Sequence, residues 1–526
     1  MKNHINLFLV TLAAITFGSC ENNETIPNDR ISTEIFWRTA TDATLAANGV
    51  YAKLEIARDF IHWDAMADIG HEMYSYVNEA VIQRGIYDAK NSLIYDKWKE
   101  AYTGIQAANI FMDNVDKVQT TNSQLIDRLK GEVKVLRAYF YIRLAILFGD
   151  VPLVTTETTI ETAREISRTP VAQVWDFISK ELTDASVDLP TTQAEKGRIT
   201  KGTALALKAR AMLFAGRYQE AAAAAKVVME LNVYSLYPSY EKLFSYDAEN
   251  NQEVIFDRQF IKNIMSNNIL TFICPNSLYP QANVASIVPV KTLVDAYQMN
   301  NGKEITDVTS GFNPYDPYTN RDPRLKYSIF VLGDVMSNGK IYDPRPNSGT
   351  ADAIGYSVNS TLTGFNLKKY FNKEDLIQPS NGGINLILLR YPEVLLTYAE
   401  AKVEANEIDQ SVLDAINLVR QRPDVNMPPI TGITSQEELR KIVRHERLVE
   451  LAFEGLRFFD IRRWRIAEDV MPGEIYGMTY TNENGELETA ISQDALKIFD
   501  KDRDYLWPIP PRERELNHNL TQNPNW

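Results

Sequence analysis

TALALKARAMLFAGRYQEAAAAAKVVME, residues 203–230, holds two apolar-periodic runs on either side of Gly216-Arg217-Tyr218. Alanine recurs in both runs, with leucine in the first and valine in the second, at the three- and four-residue spacing of an α-helix, and the glycine between them marks a tight turn. Small residues at Ala209, Ala211, Ala221 and Ala222 let two antiparallel backbones approach closely. The stretch therefore reads as a helical hairpin, and the sequence around it is read for further ones.

Upstream, Trp98–Val118 (WKEAYTGIQAANIFMDNVDKV) puts Trp98, Ala101, Tyr102, Ile105, Ala108, Phe111, Met112 and Val115 on one stripe. Leu125–Phe148 continues with the same period and stops at Gly149-Asp150-Val151-Pro152, a glycine followed by a proline. Val171–Val187, after Pro170, predicts another helix. Downstream, Tyr391–Glu404 and Ser411–Gln421 flank Ala405–Asp409 as a second pair. The hairpin unit resembles a tetratricopeptide repeat, although no clean register of about 34 residues runs through the chain. The predicted fold class is mainly all-α, a tetratricopeptide-like scaffold of degenerate helical hairpins.

Between about residues 232 and 388 the character changes to Pro, Asn, Gly, Asp and Tyr, as in Phe312-Asn313-Pro314-Tyr315-Asp316-Pro317-Tyr318. Glu253–Phe256 and Leu325–Val331 read as short strands. The prediction is one long irregular, partly β insertion in a helical scaffold, where binding is usually located. The tail after Ile466 also reads as irregular.

The first nineteen residues form an export leader. Lys2 gives the positive end, Ile5–Phe17 is an apolar run too short to span a bilayer, and Gly18-Ser19 are small residues a peptidase accepts. Cys20 follows directly, and the whole resembles a bacterial lipoprotein signal, with Phe17 standing where a Leu-like residue is usual. The alternative is an ordinary secretory signal or a membrane anchor. The lipoprotein reading predicts removal of residues 1–19, acylation of Cys20, a polar tether over 20–31 and one folded domain over 32–526.

About 500 mature residues, 44% hydrophobic content and 26 Tyr predict a well-filled core. No second apolar run approaches the roughly 20 residues of a membrane span. A net charge of −14 repels phosphate and argues against nucleic acid as a partner. With Cys20 acylated, Cys274 is left without a partner and reads as a small buried apolar residue.

Five phrases carry a family resemblance: LRKIVRHERLVELAFEGLRFFDIRRW (439–464), LLRYPEVLLTYAEA (388–401), NRDPRL (320–325), LRAYF (136–140) with FGDVPL (148–153), and LWPIP (506–510) with NLTQNP (519–524). In this order, behind the leader, they resemble the SusD/RagB family of outer-membrane nutrient-uptake lipoproteins. From the residues alone, Arg390, Glu400, Arg447, Glu450 and Glu454 read as ion-paired helix braces, with Arg447 three before Glu450 and Glu454 three before Arg457. The resemblance implies one helical domain with an irregular insertion, exposed at the cell surface and docked lid-like on a SusC-like TonB-dependent barrel transporter. It also implies capture of a glycan or oligosaccharide for import without covalent chemistry; no cofactor and no metal are expected. Peptide cargo, as in RagB-type members, is one alternative. A secreted glycan-degrading enzyme, which needs a carboxylate pair about 5–10 Å apart, is another.

A neutral sugar offers hydroxyls and an apolar ring face, so its capture needs flat aromatic side chains beside amide, carboxylate or guanidinium groups. Asp59–Tyr87 supplies Trp63, Tyr74 and Tyr76 with Asp64, Asn78, Gln83 and Arg84. Asn276–Asn283 adds Tyr279, and Tyr315–Tyr318 is a third cluster. Trp63, Asp64, Tyr74, Tyr76, Arg84 and Tyr279 are the candidate ligand-binding residues. Trp98 and Trp464 lie in strong helical periodicity and read as packing. His62, Asp64, Asp68 and His71 fall within ten residues but lack any metal-binding spacing such as HExxH.

Overall fold

A computed structural model describes residues 36–279 and 286–526, with 493–495 described by backbone alone. The leader, Cys20 and the tether lie outside the described residues. So does Pro280–Asn283 of the second aromatic cluster.

Eleven helices form the scaffold: α1 (Ala40–Tyr51), α2 (Ala57–Ala65), α3 (Ser92–Asn114), α4 (Ser123–Phe148), α5 (Val171–Asp188), α6 (Lys201–Phe214), α7 (Tyr218–Glu230), α8 (Tyr391–Glu404), α9 (Gln410–Arg420), α10 (Gln436–Glu450) and α11 (Arg457–Arg463). Polar caps start several of them. Asn91 accepts the Leu93 N–H ahead of α3, and Thr200 forms a reciprocal capping box with Thr203 ahead of α6. The α6–α7 hairpin turns at Gly216, whose φ of +72° lies in the left-handed region. Ala209, Ala211, Ala221 and Ala222 are all buried, as close backbone packing requires.

From α4 to α8 each helix packs against the one before it, and α9 and α10 both pack on α8. The result is a run of stacked hairpins. Helix accounts for about 43% of the chain against 10% strand, which bears out the predicted helical class.

α7 and α8 pack together although some 160 residues separate them in sequence. The intervening segment leaves α7 at Glu230 and returns through β6 (Leu386–Arg390), which leads straight into α8. Here β2 (Val254–Arg258) pairs antiparallel with β6, and β3 (Ile287–Pro289) pairs with β1 (Gly70–Glu72), which precedes the insertion. β4 (Ile329–Phe330) pairs with β5 (Asn366–Leu367). Of the two strands expected here, Val254–Arg258 is present, whereas Arg324–Ser328 is a short helix with extended backbone only from Ile329.

The tail after Ile466 contains the longest ladder, β7 (Gly473–Thr481) against β8 (Leu487–Lys497). The Asn482 side chain closes its turn by accepting the N–H groups of Asn484 and Glu486. Asn484-Gly485, with Gly485 at φ +81°, is the local signal for that hairpin, and it overturns the irregular reading.

A buried network of five cations and five carboxylates fastens the insertion to the scaffold. Glu450 receives Arg390 at 2.6 Å, Arg422 at 2.9 Å and Arg324 at 3.0 Å. Glu446 pairs with Arg324 and Arg420, Glu253 with Arg390 and Arg422, Glu454 with Arg390 and Lys369, and Asp322 with Arg324. These charges therefore brace helices, as their type suggested, but the partners differ from those expected. Arg447 meets Asp460 and Glu400 instead of Glu450, and Arg457 meets Asp68 instead of Glu454. α10 ends at Glu450, and a turn with Phe453 at φ +58° and Gly455 at φ +76° breaks the helix between Glu454 and Arg457, while Arg447 and Glu450, both inside α10, are each taken by other partners. Cys274 is buried and unpaired among the described residues.

Candidate functional site

The chain leaves α2 at Met66 and enters β1, where Gly70 is required by space. A Cβ there would lie 2.9 Å from both Ala65 Cα and Asp64 O. β1 pairs with β3 from Gly70↔Pro289 to Glu72↔Ile287, and Met73 N–H extends the pairing to Ser286 O at 2.8 Å. Tyr74 and Tyr76 stand just past the end of this ladder. Beneath them Glu72 is buried; its Oε1 accepts the Tyr74 N–H at 3.1 Å, and its Oε2 lies 3.0 Å from His62 Nε2.

The two tyrosine rings stack, with centroids 5.7 Å apart and planes 26° from parallel. Tyr74 is the inner ring, and its hydroxyl donates to Asn359 Oδ1 at 3.0 Å. Tyr76 is the outer ring and is 79% exposed. Burial, then the neighbouring Tyr76 and Glu72, push the Tyr74 hydroxyl above its ordinary pKa, so it remains a donor at neutral pH.

Asn359 belongs to a loop of the insertion that is fastened from two sides. Asn276 Nδ2 donates to Ala351 O at 2.8 Å and to Ser357 Oγ at 3.2 Å, and Ser277 N–H donates to Asp352 Oδ1 at 2.9 Å. On the other side Met73 Sδ accepts the Leu362 N–H. The same loop carries Tyr356, which is exposed, and the segment beneath it carries the half-buried Tyr279. Burial raises the Asp352 carboxyl against the lowering effect of Ser277.

The structure thus brings Tyr74, Tyr76 and the Tyr279 segment to one loop, and adds Asn359 and Tyr356, which sequence reasoning missed. Gly355-Tyr356-Ser357-Val358-Asn359-Ser360 has the composition of a binding loop, but nothing local ties it to residues 285 positions away. The arrangement offers a supported, exposed ring face bordered by amide and hydroxyl groups. The carboxylates of Glu72 and Asp352, on the segments that hold it, are engaged internally.

Two candidates are corrected. Trp63 is 1% exposed and packs at centroid distances of 4.9 Å from Phe459, 5.3 Å from Phe458 and 5.7 Å from Trp507. Its Nε1–H donates to Glu55, and Arg143 covers its ring, so no face is left for a ligand. Asp64 is fully buried and accepts the N–H groups of Gly455 at 3.1 Å and Arg457 at 2.8 Å, holding the turn between α10 and α11. Burial pushes its pKa up to about 7, against those two hydrogen bonds.

Arg84 caps the short helix Asn78–Gln83, and its carbonyl accepts the Ile498 N–H; no described contact joins it to the tyrosine pair. Asn78 bonds Ser92 and Gln83 is buried. Tyr315 is exposed, whereas Tyr318 is buried against Phe365. His62, Asp64, Asp68 and His71 do not converge. Their partners are Arg58 O with Glu72, two backbone N–H groups, Arg457 and Gln83 respectively.

Comparison with known proteins places this architecture. The SusD family model matches residues 245–526, and a second, described as "Starch-binding associating with outer membrane", matches residues 32–213. The chain belongs to the SusD family. SusD-like protein P2 of Formosa agariphila is 28% identical over 550 residues, spanning 99% of both chains. Among solved structures, a SusD-like carbohydrate binding protein from Bacteroides fragilis shares 29% identity at a TM-score of 0.85, over 92% of this chain and all of its own. A second SusD-like protein from the same organism shares 27% identity at 0.83, over 95% of this chain and all of its own. No helix among the described residues is long and apolar enough to cross a membrane.

Proposed function

We propose that this chain is a non-catalytic, cell-surface lipoprotein that binds oligosaccharide and delivers it to a SusC-like TonB-dependent transporter. The observation that carries the reading is the exposed Tyr76 ring, stacked on Tyr74 and locked by the Tyr74–Asn359 hydrogen bond. A preset flat ring covers the apolar face of a sugar at little cost in side-chain entropy, and Asn and Ser groups beside it match hydroxyls. Family membership, the carbohydrate-binding relative and the outer-membrane description of the family support the same reading. Binding without turnover accords with the internal engagement of Glu72 and Asp352.

In this proposal residues 1–19 are removed, Cys20 carries the lipid, 20–31 is the tether and the remainder is one binding domain on the outer face of the outer membrane. Isothermal titration against a panel of neutral oligosaccharides tests it, with oligopeptides and reducing-end release run alongside. The expected result is saturable binding of one glycan class that Tyr76→Ala weakens about tenfold, or about 1.4 kcal/mol. Binding of peptides alone, release of reducing ends, or a Tyr76→Ala affinity equal to wild type would refute it.

A further inference from the structure

Away from the tyrosine pair, an apolar groove of about 730 Å³ runs along α3. One wall is the α3 face containing Trp98, Ile105 and Ile110. The second is the segment from Pro152 to Ile166, and the third is the C-terminal stretch from Glu513 to Leu520. The walls are tied together by hydrogen bonds. Tyr102 Oη donates to Pro152 O at 2.9 Å, Asn109 Nδ2 to Val154 O at 3.1 Å, and Asn517 Nδ2 to Ala163 O at 2.9 Å and Ile166 O at 2.8 Å. The groove is therefore built before any ligand arrives. Ile160 and Leu516, 69% and 53% exposed, add apolar surface to its second and third walls. Its volume and its apolar, aromatic lining are those of a small-molecule site, which typically measures about 300–1,000 Å³.

The charge around it is anomalous. Lys53, Lys99 and Arg164 all line the groove, all are exposed, and none makes an ion pair among the described residues. Glu513 is the one acidic residue of the lining, and burial raises its carboxyl above the ordinary range. A chain of net charge −14 thus concentrates uncompensated cations around its apolar groove.

We propose that this groove binds a free long-chain monocarboxylate, the hydrocarbon lying against the accessible Ile110, Ile160 and Leu516 and the carboxylate meeting Lys53 and Lys99. The exposed cations make the head-group contribution salt-dependent, and the apolar walls supply the remainder.

The test is titration of the full chain carrying Cys20→Ala, and so without an acyl group of its own, with dodecanoate below its micelle concentration. Dodecyltrimethylammonium and an acidic amphipathic peptide run as controls. The expected result is one-to-one dodecanoate binding, at least tenfold tighter than the cationic amphiphile and weakened by salt. Lys53→Glu with Lys99→Glu, both at exposed positions, weakens it at least tenfold, and Ala107→Trp, which fills the groove, abolishes it. Absence of dodecanoate binding, equal binding of both head groups, or binding of the peptide alone overturns the proposal. Should Ala107→Trp melt early, the exposed double variant decides the matter by itself.

Discussion

Glu450→Gln is the sharpest test of how the insertion is held on its scaffold. Glu450 is fully buried and accepts hydrogen bonds from Arg390, Arg422 and Arg324 through its two oxygens. Although burial opposes ionisation, Arg390, Arg422 and Arg324 hold its carboxyl well below the ordinary glutamate range. Glutamine keeps the shape but removes the charge, leaving a buried excess positive charge and turning an amide N–H₂ toward a guanidinium. Breaking a buried pair in this way costs about 3–5 kcal/mol.

At about 2.1 cal/mol/K per residue, some 490 folded residues have an unfolding entropy of about 1 kcal/mol/K, so the melting temperature should fall by about 3–5 °C. A depressed carboxylate stabilises above its unfolded pKa and ceases to do so only as pH falls through the lower native value. The difference between variant and wild type should consequently be the same at pH 7 and pH 5.5. Differential scanning calorimetry measures it, with Glu437→Gln, from the exposed Lys441–Glu437 pair, as a control that leaves the melting temperature unchanged. A Glu450→Gln melting temperature within 1 °C of wild type would refute the reasoning.

Three further outcomes are expected. Asn359→Ala frees the Tyr74 hydroxyl and should lower glycan affinity several-fold by titration, with the melting temperature almost unmoved, because the lost bond is half-exposed. His71, whose Nδ1–H donates to Gln83, is held by burial at a pKa of about 4, below its ordinary 6.5. The unfolded chain therefore takes up its proton first, and stability drains away as pH falls from 6.5 toward 4; His71→Gln should show a smaller loss of melting temperature between pH 7 and pH 5. Cys20→Ala should move the protein from the membrane to the soluble fraction on cell fractionation while leaving glycan affinity unchanged, and a loss of affinity would contradict the independence of tether and site.

What the sequence made legible follows the range of the forces involved. Helices α3 to α9 declare themselves because each apolar stripe and its stop signal lie within thirty residues, as Phe148 followed by Gly149 shows. The partners of Arg390 lie 60 to 137 residues away, so sequence spacing could show that it is paired but not with what. Trp63 and Tyr76 are equally aromatic and only thirteen positions apart. Phe458, Phe459 and Trp507, arriving from the far end of the chain, bury the first, while among the described residues the second keeps an exposed face. Tyr76 could therefore be nominated by type, whereas Asn359, which fixes its platform, became visible only when the insertion was folded back over β1.

The pairing of α7 with α8 has a consequence for how such proteins diversify. Because those helices clamp the two roots of the insertion side by side, its closure entropy is already largely settled, and doubling the intervening length costs only about 0.6 kcal/mol more. The segment between those roots can be lengthened, shortened or exchanged while the stacked hairpins keep their register, so a single framework can present new surfaces without being refolded.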